Sequence, residues 1–239
     1  MQEIKKYLLE YLKEWITRKP RMRIVEAISS FSLWLKSVRC KKQAVDLELP
    51  WVTVPVIKFL NKSLKPGTQV AEFGVGGSTL FFLKKNLKLV SIEHNNKYFS
   101  EIKHKVYQKN LEKNWTGLVI PPNKIKNEKK SYEDPKNYLS SENTNLSFKK
   151  YVKAIDNYSN DFFDLILIDG RARPSCILHS AKKVKINGFL IVDNADSTYY
   201  FSDKKIKTIL NNFELCYDSF APCILINYFI QTKIFQRIR

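Results

Sequence analysis

Hydrophobic positions along the first forty residues recur at helical spacing. Ile4, Leu8, Leu12, Trp15 and Ile16 fall on one face, which predicts a helix over residues 1–19 ended by Pro20. Ile24, Ile28, Phe31, Leu35 and Val38 repeat the spacing and predict a second helix. The polar face of the first mixes Glu3, Glu10 and Glu14 with Lys5, Lys6 and Lys13, whereas a purely membrane-binding helix is more uniformly basic. Residues 1–49 therefore read as an N-terminal helical extension capping a main domain. Docking to a membrane surface or a partner is the alternative.

From Pro50 the pattern alternates between short apolar runs and amphipathic stretches. Helices are predicted over Trp51–Leu64, Ser78–Asn86, Lys97–Lys113, Phe148–Asn157, Ser175–Val184 and Asp203–Asn212. Strands are predicted over Gln69–Phe73, Leu89–Glu93, Gly117–Ile120, Phe163–Ile168, Phe189–Val192, Leu215–Phe220 and Leu225–Phe235. Asn187-Gly188 reads as a helix stop. Strands separated by helices imply a doubly wound α/β fold, here a mostly parallel seven-stranded sheet with an antiparallel pair at one edge. Residues 50–239 form this domain. Within it, residues 123–147 are polar and lack apolar periodicity, and read as a solvated or disordered insertion ahead of a substrate lid.

Composition adjusts this picture in two respects. The net charge of +18 invites a nucleic-acid partner. Yet Lys outnumbers Arg 33 to 8, and the lysines are spread along the chain rather than gathered into one patch, so nucleic acid is the lesser reading. The four cysteines, Cys40, Cys176, Cys216 and Cys223, form no C-x-x-C pair and read as reduced thiols. The first residues lack an apolar signal core, and no window approaches the ~20 apolar residues of a membrane span. A soluble, cytoplasmic protein is expected.

The chemistry gathers at strand ends. Glu72-Phe73-Gly74-Val75-Gly76-Gly77-Ser78-Thr79 stands where a strand turns into a helix; glycines there admit close approach of a ligand, and the helix N-terminus adds N–H donors. Glu93 ends the next strand, 19 residues past Gly74, where an acid can accept from both ribose hydroxyls. His94 follows and either packs beside an adenine or is a half-buried histidine. Glu72, Glu93, Asp169 and Asp193 each end a predicted parallel strand and so share the carboxyl edge of the sheet. Acids there suit a cationic or hydroxylated ligand, or a divalent metal, better than a polyphosphate.

Together these residues resemble the class I S-adenosylmethionine-dependent methyltransferases over roughly residues 50–239. The resemblance rests on the E-x-G-x-G-G-S-T turn, on Ser91-Ile92-Glu93-His94, on Phe163-Asp164-Leu165-Ile166-Leu167-Ile168-Asp169-Gly170 and on the late strand pair. It implies that Gly74, Gly76, Gly77 and Ser78 line S-adenosylmethionine, that Glu93 binds its ribose, that His94 borders the adenosine, and that Glu72 lies near the amino group. An NAD(P)-dependent oxidoreductase is the rival, but its G-x-G-x-x-G fingerprint has Thr79 in the last position; an RNA methyltransferase, suggested by the basic charge, is the other alternative.

On the acceptor side, Asp169, Asp193 and Asn194 look like the Mg²⁺ ligands of catechol-type O-methyltransferases. Those enzymes place a lysine three residues after the first Asp, and Ala172 stands there. Asp169-Gly170-Arg171-Ala172-Arg173 looks more like methyltransferase-like proteins associated with sugar or polysaccharide O-methylation. That resemblance implies Asp169 as general base, with Arg171 and Arg173 holding a polar or acidic acceptor. The arginines could equally pair with acids on the sheet edge. Tyr199 and Tyr200, after the fifth strand, would face an acceptor or anchor the next helix. The expected acceptor is a glycan or small hydroxylated metabolite.

Overall fold

The computed structural model describes residues 2–19, 21–126 and 130–239. In chain order the elements are α1 (Gln2–Thr17), α2 (Ile24–Arg39), α3 (Ala44–Leu47), α4 (Val54–Ser63), β1 (Gln69–Phe73), α5 (Gly77–Lys84), β2 (Lys88–Glu93), α6 (Asn96–Gln108) and β3 (Trp115–Val119). There follow β4 (Asn123–Lys124), β5 (Leu146–Ser147), α7 (Lys149–Lys153), β6 (Phe163–Ile168), α8 (Arg173–Ser180), β7 (Val184–Val192) and α9 (Lys204–Leu210). The chain closes with β8 (Phe213–Tyr217), β9 (Phe220–Pro222), β10 (Phe229–Gln231) and β11 (Lys233–Arg237).

Seven strands form one sheet in the order β3-β2-β1-β6-β7-β11-β8. All neighbours are parallel except β11, which runs antiparallel to both β7 and β8. The strand order reverses between β1 and β6, which opens a crevice at their carboxyl ends. Gly74, at φ +95°, turns the chain out of β1 there; a Cβ on it would meet the Cα of Gly170 at 3.5 Å.

Side-chain parity divides the core between the two faces of the sheet. Val70, Leu165 and Leu167 pack with Leu60 of α4, Leu80 of α5 and Ile102 of α6. Ala71, Phe73, Ile166 and Ile168 pack with Tyr151 of α7, Ile177 of α8 and Ile206 of α9. Strands covered on both faces are continuously apolar, which is why Phe163–Ile168 stands out in the sequence. Tyr7, Ala27 and Trp34 share the first of these clusters, so the core is continuous across residue 50.

Two expectations change, and a third gains detail. Asn187-Gly188 does not stop a helix; it lies inside β7, with Asn187 at φ +65°, and the β6–β7 register shifts beside it. The late hairpin is not one strand over residues 225–235. β9 and β10 pair as a separate two-stranded ribbon before β11 returns to the main sheet. The described part of residues 123–147 is mostly exposed or half-buried but is anchored to the domain at a few points. β4 pairs with β5, Leu139 is buried, and Ser175 Oγ of α8 donates to the Pro135 carbonyl at 2.7 Å. Residues 127–129 of that segment lie outside the described residues.

Candidate active site

A cavity of about 570 Å³ opens at the crevice. Gly74, Gly76, Gly77, Ser78, Glu93, His94, Asp169, Arg171, Arg173, Asp193 and Asn194 all border it. A second chamber of about 340 Å³ adjoins, sharing Gly170, Arg171, Arg173, Asn194, Tyr228 and Ile230 with the first. Among the residues expected at the site, Glu72 alone does not line either chamber.

Strand parity explains Glu72. It precedes the last residue of β1 and faces the same side as Val70, beneath the first turn of α5. Its buried carboxylate accepts from Ser78 Oγ at 2.5 Å, Thr79 Oγ1 at 2.6 Å and Ser91 Oγ at 2.6 Å. Burial pushes its pKa up to about 7 against those three hydrogen bonds. Glu72 braces the turn from below, and the Ser78 hydroxyl is engaged by it. Gly77 serves packing as well as the cavity: a Cβ on it would fall 2.1 Å from the Leu49 carbonyl and 2.4 Å from that of Ala44.

Glu93 is oriented at the cavity by the loop that follows it. Oε1 accepts from the His94 and Asn95 amides at 2.8 and 2.7 Å, and Oε2 from the Val75 amide at 3.0 Å. Burial alone would raise its pKa, but the His94 side chain and these amides outweigh it and hold the carboxylate ionised. His94 Nδ1 lies 2.8 Å from Oε1, and its ring meets Phe148 edge-on at 5.6 Å.

Arg173 organises the opposite wall. Ala172, in the left-handed region at φ +50°, turns the chain so that α8 begins with Arg173 reaching back over the strand ends. Nη2 donates to Asp169 Oδ1 at 3.0 Å. Nη1 donates to Asn194 Oδ1 at 2.7 Å, the Asp193 carbonyl at 3.2 Å and the Tyr200 hydroxyl at 3.1 Å. Burial opposes the charge on Arg173, but Asp169 leads the interactions that fix it. Asp193 is buried and accepts from Thr232 Oγ1 at 2.6 Å. Burial and the neighbouring Asp193 carboxyl push the Asp169 pKa well up, with Arg173 opposing. Arg171 instead points to the edge of the second chamber and pairs with Glu142 from the segment before β5.

The expected metal ligands do not fit a metal. Asp169, Asn194 and the Asp193 carbonyl hold a guanidinium, and a cation there would oppose Arg173 directly. Among the described residues no group of three or more His, Cys, Asp or Glu could hold a metal ion. Ala172 is 2% exposed, so a lysine in its place would point into the core.

The sequence reading missed several residues bordering the cavity: Trp51, Tyr98, Ile226, Tyr228 and Ile230. Tyr98 was within reach, because Asn95 caps α6 by accepting from its amide at 3.1 Å and so places it in the first turn after Glu93. The β9–β10 residues carried no such local signal.

No protein-family model matches the chain, and no curated protein matches it in sequence. Solved structures do match in fold. A putative O-methyltransferase from Klebsiella pneumoniae aligns over 100% of both chains at 8% identity, with a TM-score of 0.53. The O-methyltransferase TomG from Streptomyces achromogenes, determined in complex with SAM, covers 90% of this chain and 96% of its own at 11% identity, with a TM-score of 0.56. TrmN from Thermus thermophilus matches 77% of this chain and 48% of its own at 8% identity, with a TM-score of 0.51. The fold is that of the class I S-adenosylmethionine-dependent methyltransferases.

Proposed function

We propose that this chain is an S-adenosylmethionine-dependent methyltransferase acting on a hydroxyl of a sugar, a polysaccharide or a small hydroxylated metabolite. The observation that carries the reading is the two-chambered cleft at the strand reversal, with an ionised carboxylate on one wall and a carboxyl of raised pKa on the other. Environments that push two acids apart in pKa assign them different tasks.

S-adenosylmethionine, when bound, supplies a methyl group on a sulfonium. The donor set suits it: Gly74 at positive φ leaves the turn without a side chain, Glu93 presents an ionised carboxylate to hydroxyls, and three acids face the cavity of a chain otherwise strongly basic. Glu93, with His94 and Tyr98 beside it, would hold the adenosine, and the Gly74–Ser78 turn the remainder. The second chamber offers Ser140, Ser141, Asp196, Ser197, Tyr199 and Tyr228, which suits an acceptor rich in hydroxyls. Displacement at a methyl group demands chiefly alignment. Asp169 would take the proton from the acceptor hydroxyl; its raised pKa narrows the gap to the alcohol. Arg173 would hold Asp169 in place, and Arg171 would border the acceptor. No step requires a divalent ion.

Calorimetry with S-adenosylhomocysteine and with NAD(H) tests the cofactor, and NAD(H) binding alone would overturn the reading. Methyl transfer to a panel of glycans and hydroxylated metabolites, with EDTA and with Mg²⁺, tests the rest. Transfer unaffected by EDTA and lost in Asp169→Asn is the expected result. Retention of RNA at ~150 mM salt with transfer to it would instead support a nucleic-acid acceptor.

A further inference from the structure

Helices α1 and α2 have two unlike faces. Inward, Tyr7 and Trp34 pack on the β9–β10 ribbon: Trp34 Nε1 donates to the Ile226 carbonyl at 2.9 Å, and the Tyr7 ring meets Phe229 at 5.3 Å. Outward, Leu8, Leu9, Leu12, Trp15 and Ile16 of α1 join Ile24, Val25 and Ile28 of α2 at the surface, with Ile16, Val25 and Ile28 68%, 76% and 70% exposed. Ile4, Leu8, Ile24 and Ile28 border a groove of about 260 Å³ between the helices. Apolar surface on this scale marks an interaction site.

The surrounding charge selects the occupant. Residues 1–42 carry eleven Lys and Arg against four Glu, a surplus of seven positive charges. Every one of those acids is paired: Glu3 with Arg39, Glu10 with Lys13, Glu14 with Arg18 and Glu26 with Arg23. Lys5, Lys6, Lys19 and Arg21 have no acidic partner among the described residues. At 100° per residue, Lys5 falls within the exposed apolar arc of α1 and Lys6 and Lys13 at its border, while Glu3, Glu10 and Glu14 fall toward buried Tyr7. Arg21 lies over the Trp15 ring at 4.3 Å, an aromatic–cation pair suited to a headgroup layer. Two copies of this face would bring like charges together, which disfavours self-association.

We propose that the outer face of α1 and α2 docks in the plane of an anionic lipid bilayer, its apolar residues among the acyl chains and its Lys and Arg side chains at the headgroups. No helix among the described residues is long and apolar enough to cross a membrane, so the contact is peripheral. The inner face holds the ribbon that supplies Tyr228 and Ile230 to the cleft, so docking places the cleft rim close to the lipid surface.

The test is co-sedimentation of the full chain with phosphatidylcholine vesicles, with and without roughly 30% phosphatidylserine, alongside light scattering of the free protein. Leu12→Glu and Ile28→Glu alter exposed positions, and unchanged melting temperatures would show that the fold is kept. The expected result is binding at least about tenfold tighter to anionic vesicles, weakened by salt and reduced about tenfold by either variant. Equal binding to both vesicle types, or binding to neither, would overturn the proposal. So would a dimer that Leu12→Glu dissociates without any vesicle binding, which would give the face to a second copy.

Discussion

The two walls of the cleft hold their carboxylates by different means. At the glycine turn, Glu93 rests on backbone amides, two of them from the residues that follow it. Across the cleft, Asp169 rests on one guanidinium that also gathers Asp193, Asn194 and Tyr200. The His94 side chain and the backbone amides come with the strand and its loop and together keep the acid ionised. A buried arginine must be placed by long-range folding, and it leaves Asp169 high in pKa because burial and a second carboxyl in the same space outweigh it. One wall suits holding hydroxyls, the other suits moving a proton.

The largest effect should come from removing the shared arginine. Arg173→Ala leaves the half-buried Asp169 carboxyl without its partner, and the buried Asp193 carboxyl beside it without a counter-charge, and should cost about 3 kcal/mol in urea unfolding, with Arg173→Lys recovering little because an ammonium cannot span the same acceptors. A loss below ~1 kcal/mol would erase the contrast between the walls.

The turn side contains one group that titrates near neutrality. Glu72 has a folded pKa of about 7 against an ordinary 4.5, so its folded state binds the proton more tightly. Its contribution is therefore full below about pH 4.5 and declines as pH rises through about 7. Glu72→Gln should lack that decline, and the stability difference between variant and wild type should change by up to about 3 kcal/mol across the window. Parallel pH–stability curves would show that Glu72 is not held as described.

Glu93→Gln should weaken S-adenosylhomocysteine binding about tenfold in calorimetry, while costing less stability than Arg173→Ala. The smallest change should follow Glu142→Gln. Its pair with Arg171 is largely exposed, so stability should move by less than about 1 kcal/mol, and the effect should show in the acceptor KM rather than in cofactor affinity.

Much of the turn wall was readable in the sequence because its determinants are local. Apolar runs closed by Glu93, Asp169 and Asp193 marked three parallel strand ends, and the glycines marked the reversal. Glu72 was misplaced because the motif shows an acid near the glycines but not which face of the strand it occupies. Arg173 looked like an acceptor ligand because its partners lie up to 27 residues away and only the packed sheet brings them together. Asp169 and Asn194 looked like metal ligands for the same reason: the guanidinium they share reaches them only in the packed sheet. Asn187-Gly188 fits a strand irregularity as well as a helix stop, and only pairing with β6 decides between them.

The Trp34–Ile226 hydrogen bond spans 192 residues. During synthesis the two N-terminal helices leave the ribosome long before the ribbon they grip. Until then the inner faces around Tyr7 and Trp34 have no partner, and the cleft lacks the wall that Tyr228 and Ile230 provide. Completion of the cleft is therefore a late event in the life of the nascent chain, and contacts this distant in sequence slow folding. Early helices apolar on both sides are natural clients for a chaperone in that interval.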